Sequence, residues 1–194
     1  MSLLTLTLPS LALTLALAIA APVLAQPKPA QLQAAGSEIA FTTKQMGVPV
    51  EGKFSKFSAQ ITLDPKKPET GSVSFSIDTG SARFGSAEID AEVPKATWLN
   101  VAKFPQASFQ SSAIKAVGPG KFEVTGKLNI KGSVHDVVVP VQLTQTGATS
   151  TASGAFAIKR LEFKVGEGEW SDTSMLANDI QIRFRLALSG LASL

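Results

Sequence analysis

Few residues of this sequence could carry catalysis or hold a metal. It contains a single histidine, His135, and no cysteine. A zinc site built from several histidines or from thiolates is therefore excluded, as is a cysteine nucleophile. Ser133, His135 and Asp136 are the residue types of a hydrolase triad, but successive residues of a strand point to opposite faces, so His135 and Asp136 diverge. We interpret His135 as a surface or turn histidine and expect no enzymatic activity.

A second group of polar side chains, Glu167, Glu169 and Asp172, lies in the segment GEGEWSD. Carboxylates are ligands that Ca²⁺ prefers, but this spacing matches no calcium-binding loop, and an acidic turn is the better interpretation. The glycines stand singly, so no phosphate-binding loop is present. The sequence predicts neither a metal site nor a cofactor.

The elements that must position any site are strands in which apolar and polar residues alternate. The clearest signal is the range 121–143, where two alternating runs flank a turn at Gly132 and Ser133, and Gly126 predicts a bend in the first run. The range 86–100 lacks the alternation, contains Pro94, and predicts one or two short helical turns over one end of the sheet. The other predicted strands are 37–43, 50–63, 72–78, 107–114, 151–160 and 179–188.

Eight amphipathic strands without strand–helix alternation predict an all-β fold, either a two-sheet sandwich or a closed barrel. Long strands with interior glycines favour the eight-stranded antiparallel barrel. Charged outer faces and the absence of tyrosine separate it from an outer-membrane barrel, so the apolar face should point inward. A barrel of this size is either filled by its own side chains or holds one small ligand, and the pattern does not distinguish the two. The phenylalanines predicted to point inward are Phe41, Phe57, Phe75, Phe109, Phe122, Phe156 and Phe184.

Residues 1–25 are predicted to be a cleaved signal peptide. Residues 3–21 are uncharged and apolar, and the small residues Val23 and Ala25 suit cleavage before Gln26. The competing interpretation is an uncleaved anchor, because the run approaches the roughly 20 residues that a spanning helix needs. The Pro-rich range 26–36 predicts a flexible lead-in, and the range 37–190 is predicted to form the barrel domain.

The net charge of +3 is scattered along the chain, which favours a solvated surface over a nucleic-acid interface.

Several motifs match one known family in order and spacing. They are SEIAFTTKQMGVPVEGKFSKF at 37–57, SVSFSID at 72–78, KFPQASFQS at 103–111 and FEVTGKLNIKG at 122–132. Through them the range 36–188 resembles the YceI-like family. The most specific pieces are FP-x-x-x-F-x-S and V-T-G-x-L-x-I-x-G. The resemblance implies an exported bacterial protein with a lipocalin-like, eight-stranded barrel that binds a polyisoprenoid chain, an isoprenoid quinone or a polyprenyl phosphate, in an apolar tunnel.

The leading hypothesis from this resemblance is a periplasmic carrier or scavenger of polyisoprenoid lipid. Such a protein could contact a membrane surface or a membrane redox protein transiently. The alternative is a non-enzymatic envelope interaction or stress module with a packed core that partners a membrane redox protein. Lys44 and Arg160 are the candidates for contact with the lipid head group. The candidates for the tunnel lining are Phe41, Phe57, Ile61, Phe75, Ile77, Phe109, Phe122, Leu128, Val139, Phe156 and Phe184.

Overall fold

The computed structural model describes residues 29–194, which form one curled antiparallel sheet with short helices in its connections. In this range one α-helix, α1 (Ala87–Glu92), and four 3₁₀ helices (Pro68–Thr70, Thr79–Ser81, Arg160–Phe163 and Gly168–Ser171) are present. The all-β class and the short helical turn within 86–100 are confirmed. No helix of the described residues combines the length and apolarity needed to cross a membrane. The strands are β1 (Gln31–Gln45), β2 (Val48–Phe54), β3 (Phe57–Thr62), β4 (Ser72–Asp78), β5 (Ala82–Arg83), β6 (Gln106–Gly118), β7 (Lys121–Ile130), β8 (Ser133–Thr146), β9 (Thr149–Lys159) and β10 (Asp179–Ser189).

The strand order is β3-β4-β6-β7-β8-β9-β10-β1-β2-β5, and the sheet curls until an isolated bridge between Ala30 and Ile61 joins the chain just before β1 to edge strand β3. The second half of β1 lies between β10 and β2. Just before β1, the Ala30 N–H donates to the Ile61 carbonyl of edge strand β3 at 2.7 Å. Between Gln33 and Glu38 the register of β1 shifts, and Gly36 there has a φ of 86°. This bulge bends β1 so that it contacts strands from both ends of the sheet order.

The predicted count of eight strands is wrong, because the structure has ten. The single strand expected over 50–63 is interrupted at Ser55 and Lys56. Ser81 accounts for the interruption: its carbonyl accepts from the Ser55 N–H at 3.2 Å and its Oγ from the Lys56 N–H at 3.1 Å. The other additional strand, β5, has only two residues and pairs with the end of β2. The pairing of β5 leaves no trace in the alternation. The interruption does leave one, because the inward positions pass from Val50 and Phe54 to Phe57 and Ile61, a change of phase between Phe54 and Phe57.

The hairpin of β7 and β8 is confirmed, with a regular register from Lys121 opposite Gln142 to Ile130 opposite Ser133. Its turn, however, consists of Lys131 and Gly132, whose φ angles are 51° and 78°. Two residues with positive φ give the turn whose twist suits an antiparallel pair. The bend expected at Gly126 is a bulge in the neighbouring strand β6, where Ser112 is the extra residue opposite Gly126 and Thr125.

The folded domain begins earlier than the sequence predicted. Strand β1 starts at Gln31, so residues 31–36 belong to the sheet and are not a flexible lead-in. Ser37 fixes this start, because its Oγ accepts a hydrogen bond from the Ala187 N–H at 2.9 Å. The range 31–36 was missed because it lacks the alternation of the other strands. The predicted signal peptide, residues 1–25, lies outside the described residues, as do residues 26–28.

Candidate functional site: an apolar cavity with one polar end

The interior of the barrel is a cavity of about 800 Å³ to which all ten strands contribute side chains. Pockets that hold small molecules commonly measure about 300–1,000 Å³. The barrel is therefore not filled by its own side chains, and the packed core assumed in the alternative hypothesis is absent from the described structure. Several inward phenylalanines, among them Phe75 and Phe156, are only half-buried because they face this space.

Most of the predicted lining residues are in the cavity wall, but Phe57 is not. Phe57 follows the interruption between β2 and β3, and its ring stacks on Phe75 with 5.8 Å between the ring centroids. Phe57 thus contacts a residue of the wall without lining the cavity itself, a relation that alternation along one strand cannot reveal. The ten predicted residues found in the wall are Phe41, Ile61, Phe75, Ile77, Phe109, Phe122, Leu128, Val139, Phe156 and Phe184.

Three wall phenylalanines lie directly over strand glycines. A Cβ atom on Gly52 would come within 2.5 Å of the Phe41 ring. The corresponding distance is 2.6 Å both for Gly126 and the Phe109 ring and for Gly154 and the Phe184 ring. At Gly52 the ring therefore occupies space against the wall that a side chain would otherwise fill, an arrangement known to stabilise glycines in sheets. A Cβ atom on Gly126 or Gly154 would also meet a main-chain carbonyl oxygen, at 2.4 and 2.1 Å. We infer that this pairing helps to keep bulky rings out of the centre of the barrel.

The polar residues of the cavity wall gather at one end of the barrel, which we call the polar end. They come from the end of β1, from the connection between β4 and β5, from the connection between β5 and β6 that contains α1, from the start of β6 and from the connection after β9. The remainder of the wall is apolar, so the cavity has one end suited to a polar group and a long part suited to hydrocarbon. The polar end comprises Thr43, Gln45, Thr79, Ser86, Glu88, Glu92, Ser108, Arg160 and Glu169.

Arg160 organises the connection between β9 and β10. Its side chain is buried, with 1% of the residue exposed. All five of its N–H donors bind main-chain carbonyls, at distances of 2.5–3.0 Å. Burial lowers the pKa of its guanidinium from the ordinary value, because the charged form is desolvated. The carbonyls belong to Val165, Gly166, Trp170, Leu176 and Ala177.

The structure gives neither predicted head-group residue a free donor toward the cavity. Arg160 lines the cavity, but its hydrogen-bonding capacity is already used within its own loop. Lys44 is exposed and absent from the wall, because its neighbours Thr43 and Gln45 take the inward positions of the strand. The alternation of inward and outward residues along β1 was enough to predict that Lys44 faces away from the cavity. The burial of Arg160 gives no sequence signal, since it depends on the folded loop.

The acidic segment after β9 is a pair of structured turns. The Lys131 ammonium, whose side chain is 5% exposed, donates to Glu167 at 2.9 Å and to the Lys164 carbonyl at 2.6 Å. Asp172 accepts from the N–H and the hydroxyl of Ser174, which lowers the pKa of its carboxyl group. Within residues 29–194, no cluster of three or more His, Asp or Glu side chains could hold a metal.

The side chain of His135 packs against an aromatic ring and does not form a catalytic hydrogen-bond network. Its ring meets the edge of Phe163, with 4.7 Å between the ring centroids, and its Nε2 lies 3.1 Å from the Glu162 carbonyl. Asp136 points away and pairs with Lys127 at 2.9 Å. His135 and Asp136 therefore point in different directions, as the alternation along the strand predicted.

Sequence reasoning missed a pair of tryptophans at the polar end. Trp98 and Trp170, the two tryptophans of the chain, both line the cavity, and their ring centroids are 5.3 Å apart. Their segments are joined because the Thr97 carbonyl accepts from the N–H groups of Gly166 and Glu167, at 2.9 and 3.0 Å. Residues so far apart in sequence give no local signal of this contact.

Residues 31–188 match the family model described as the YceI-like domain. The chain belongs to the YceI-like family. Among its curated relatives, a UPF0312 protein of Azotobacter vinelandii is 34% identical over 96 residues, covering 50% of this chain and 50% of the relative. A UPF0312 protein of Yersinia pestis is 36% identical over 110 residues, covering 56% and 57%. The YceI-like chain thus matches these relatives over about half of their length.

Solved structures share the fold of this YceI-like chain. Burkholderia cenocepacia BcnA is 45% identical, with a TM-score of 0.79 over 81% of this chain and 99% of that one. A polyisoprenoid binding domain from Saccharophagus degradans, implicated in plant cell wall breakdown, is 15% identical, with a TM-score of 0.68 over 83% and 98%. The second similarity concerns the fold alone.

Proposed function

We propose that this YceI-like protein binds one polyisoprenoid lipid, such as an isoprenoid quinone or a polyprenyl phosphate, inside its barrel. The observation that carries the proposal is the cavity of about 800 Å³, apolar along most of its wall and polar at one end. The isoprenoid tail would lie along the phenylalanine-rich wall, and the head group would lie at the polar end.

The energetics favour this use of the cavity. Each CH₂ group moved from water to an apolar wall gains about 0.8 kcal/mol, so a long isoprenoid chain strongly prefers the interior. An isoprenoid tail in water therefore needs a protein that covers it, and binding alone meets that need without catalysis. The shared fold of the Saccharophagus degradans polyisoprenoid binding domain supports the same ligand class.

The biological role proposed is carriage or sequestration of such a lipid in the periplasm, after export by a cleaved signal peptide. Loading and release would then involve transient contact with a membrane surface or a membrane redox protein. No enzymatic step is proposed.

Mass spectrometry of an organic extract tests the proposal directly. The mature protein is purified from the periplasm without detergent, extracted, and its lipid quantified against protein. We expect about one isoprenoid lipid for each protein molecule. An extract without isoprenoid, repeated after incubation with quinones and polyprenyl phosphates, would refute the proposed function.

A further inference from the structure

The indole of Trp98 holds a hydrogen-bond donor that the protein leaves unused. Its Nε1–H is buried and has no acceptor among residues 29–194, although the indole lines the polar end of the cavity. Most buried polar groups in folded proteins are paired, because an unpaired one loses its hydrogen bond to water without replacement. An unpaired donor beside a cavity is therefore a candidate for pairing with a ligand.

Several main-chain oxygens near Trp98 already accept hydrogen bonds from other groups. The Thr97 carbonyl already accepts two main-chain hydrogen bonds from the loop after β9. The carbonyls of Gly166 and Trp170, which lie on the segment packed against Trp98, are already bound by Arg160. Arg160 thus already uses one acceptor position on each of these two carbonyls.

The charges of the polar end indicate which acceptor it suits. Glu88, Glu92 and Glu169 line this end, and Glu92 is paired with Lys95. Arg160, the cation in the described wall, has all five donors engaged. An anionic head group would meet carboxylates without a free cationic donor, whereas an uncharged oxygen could accept from the indole N–H of Trp98, which has no acceptor in the described protein.

We propose that Trp98 determines head-group specificity: its Nε1–H donates to an uncharged oxygen, a hydroxyl or a carbonyl, on the bound lipid. This inference rests on the proposed function. Because protein atoms cover Nε1, the indole has to turn toward the cavity when the head group enters. Side-chain rotations of this kind are common on binding.

Three ligands that share one tail separate the contributions of the tail, the hydroxyl and the charge to binding. They are geranylgeraniol, the hydrocarbon that lacks its hydroxyl, and geranylgeranyl phosphate. Their affinities are measured by displacement of a fluorescent apolar probe from the wild type, Trp98→Phe and Trp170→Phe. Trp170→Phe makes the same change in the ring that packs against Trp98 and is measured for comparison. We expect Trp98→Phe to lower the affinity ratio of alcohol to hydrocarbon about two- to tenfold, as loss of one hydrogen bond predicts, and Trp170→Phe to lower it less.

Each other outcome is informative. An unchanged ratio in Trp98→Phe would overturn the role of Trp98, and tighter binding of the phosphate than of the alcohol by the wild type would overturn the preference for an uncharged head. If the wild type bound none of the three, the proposed function itself would fail.

Indole ¹⁵N–¹H resonances of the unmutated protein give a readout that needs no variant: the alcohol, but not the hydrocarbon, should shift the Nε1–H signal of Trp98 strongly.

Discussion

Arg160 carries a positive charge into the protein, and none of the ion pairs formed by the described residues includes it. Five carbonyl dipoles replace its hydration, a geometry that only a guanidinium can satisfy, since an ammonium has three donors on one atom. We expect Arg160→Lys to leave at least two carbonyls unpaired and to lower the free energy of unfolding by about 3 kcal/mol, measured by urea denaturation. The exposed Arg185 provides the control, because Arg185→Lys should change stability by no more than about 0.5 kcal/mol. Equal effects of the two substitutions would contradict the structural role of Arg160.

Strands β1 and β2 show how a sheet can keep an interior open. Phe41 lies opposite Gly52 in the register, and its ring occupies the place of the missing side chain. In Gly52→Ala the ring has to move, toward the cavity or against its neighbours Phe54 and Phe84. We expect a loss of stability of about 1–3 kcal/mol in thermal unfolding, together with weaker lipid binding, because the space is overpacked. Gly118→Ala is the control, since its Cβ would lie 3.7 Å from Lys121. If both substitutions had the same small effect, the pairing of ring and glycine would not shape the cavity.

The described residues form a barrel with a hollow interior, so under the proposed function filling that interior should remove lipid binding without removing the fold. Ala152 lines the cavity, whereas Ala157 is exposed on the outer face of the same strand, β9. We expect Ala152→Phe to abolish most of the co-purifying isoprenoid, while the delipidated protein stays as stable as the wild type or gains about 0.5–2 kcal/mol. Ala157→Phe should bind lipid as the wild type does. Unchanged lipid content in Ala152→Phe would place the lipid elsewhere on the protein.

The sequence predicts the wall of this cavity better than its polar end. Alternation depends on local backbone geometry, and it assigned Phe122, Leu128 and Val139 to the interior correctly. The interruption at Ser55 was missed by interpreting 50–63 as one strand, although the phase of the alternation changes between Phe54 and Phe57. The polar end is formed by connections without regular period, so the burial of Arg160 and the contact between Trp98 and Trp170 follow only from the folded chain. A charged residue type suggested a ligand contact at Arg160, where the structure shows internal hydrogen bonding.

The loop after β9 is held together without any group that is sensitive to the redox potential of its surroundings. Secreted domains often fix long connections with disulfides, which depend on the redox potential of the compartment. This chain has no cysteine, and here a single guanidinium joins main-chain oxygens of residues 165–177 across the loop. The polar end of the cavity is thus cross-linked by hydrogen bonds that neither reductants nor oxidants can break. Its shape should therefore be the same in reducing and in oxidising surroundings.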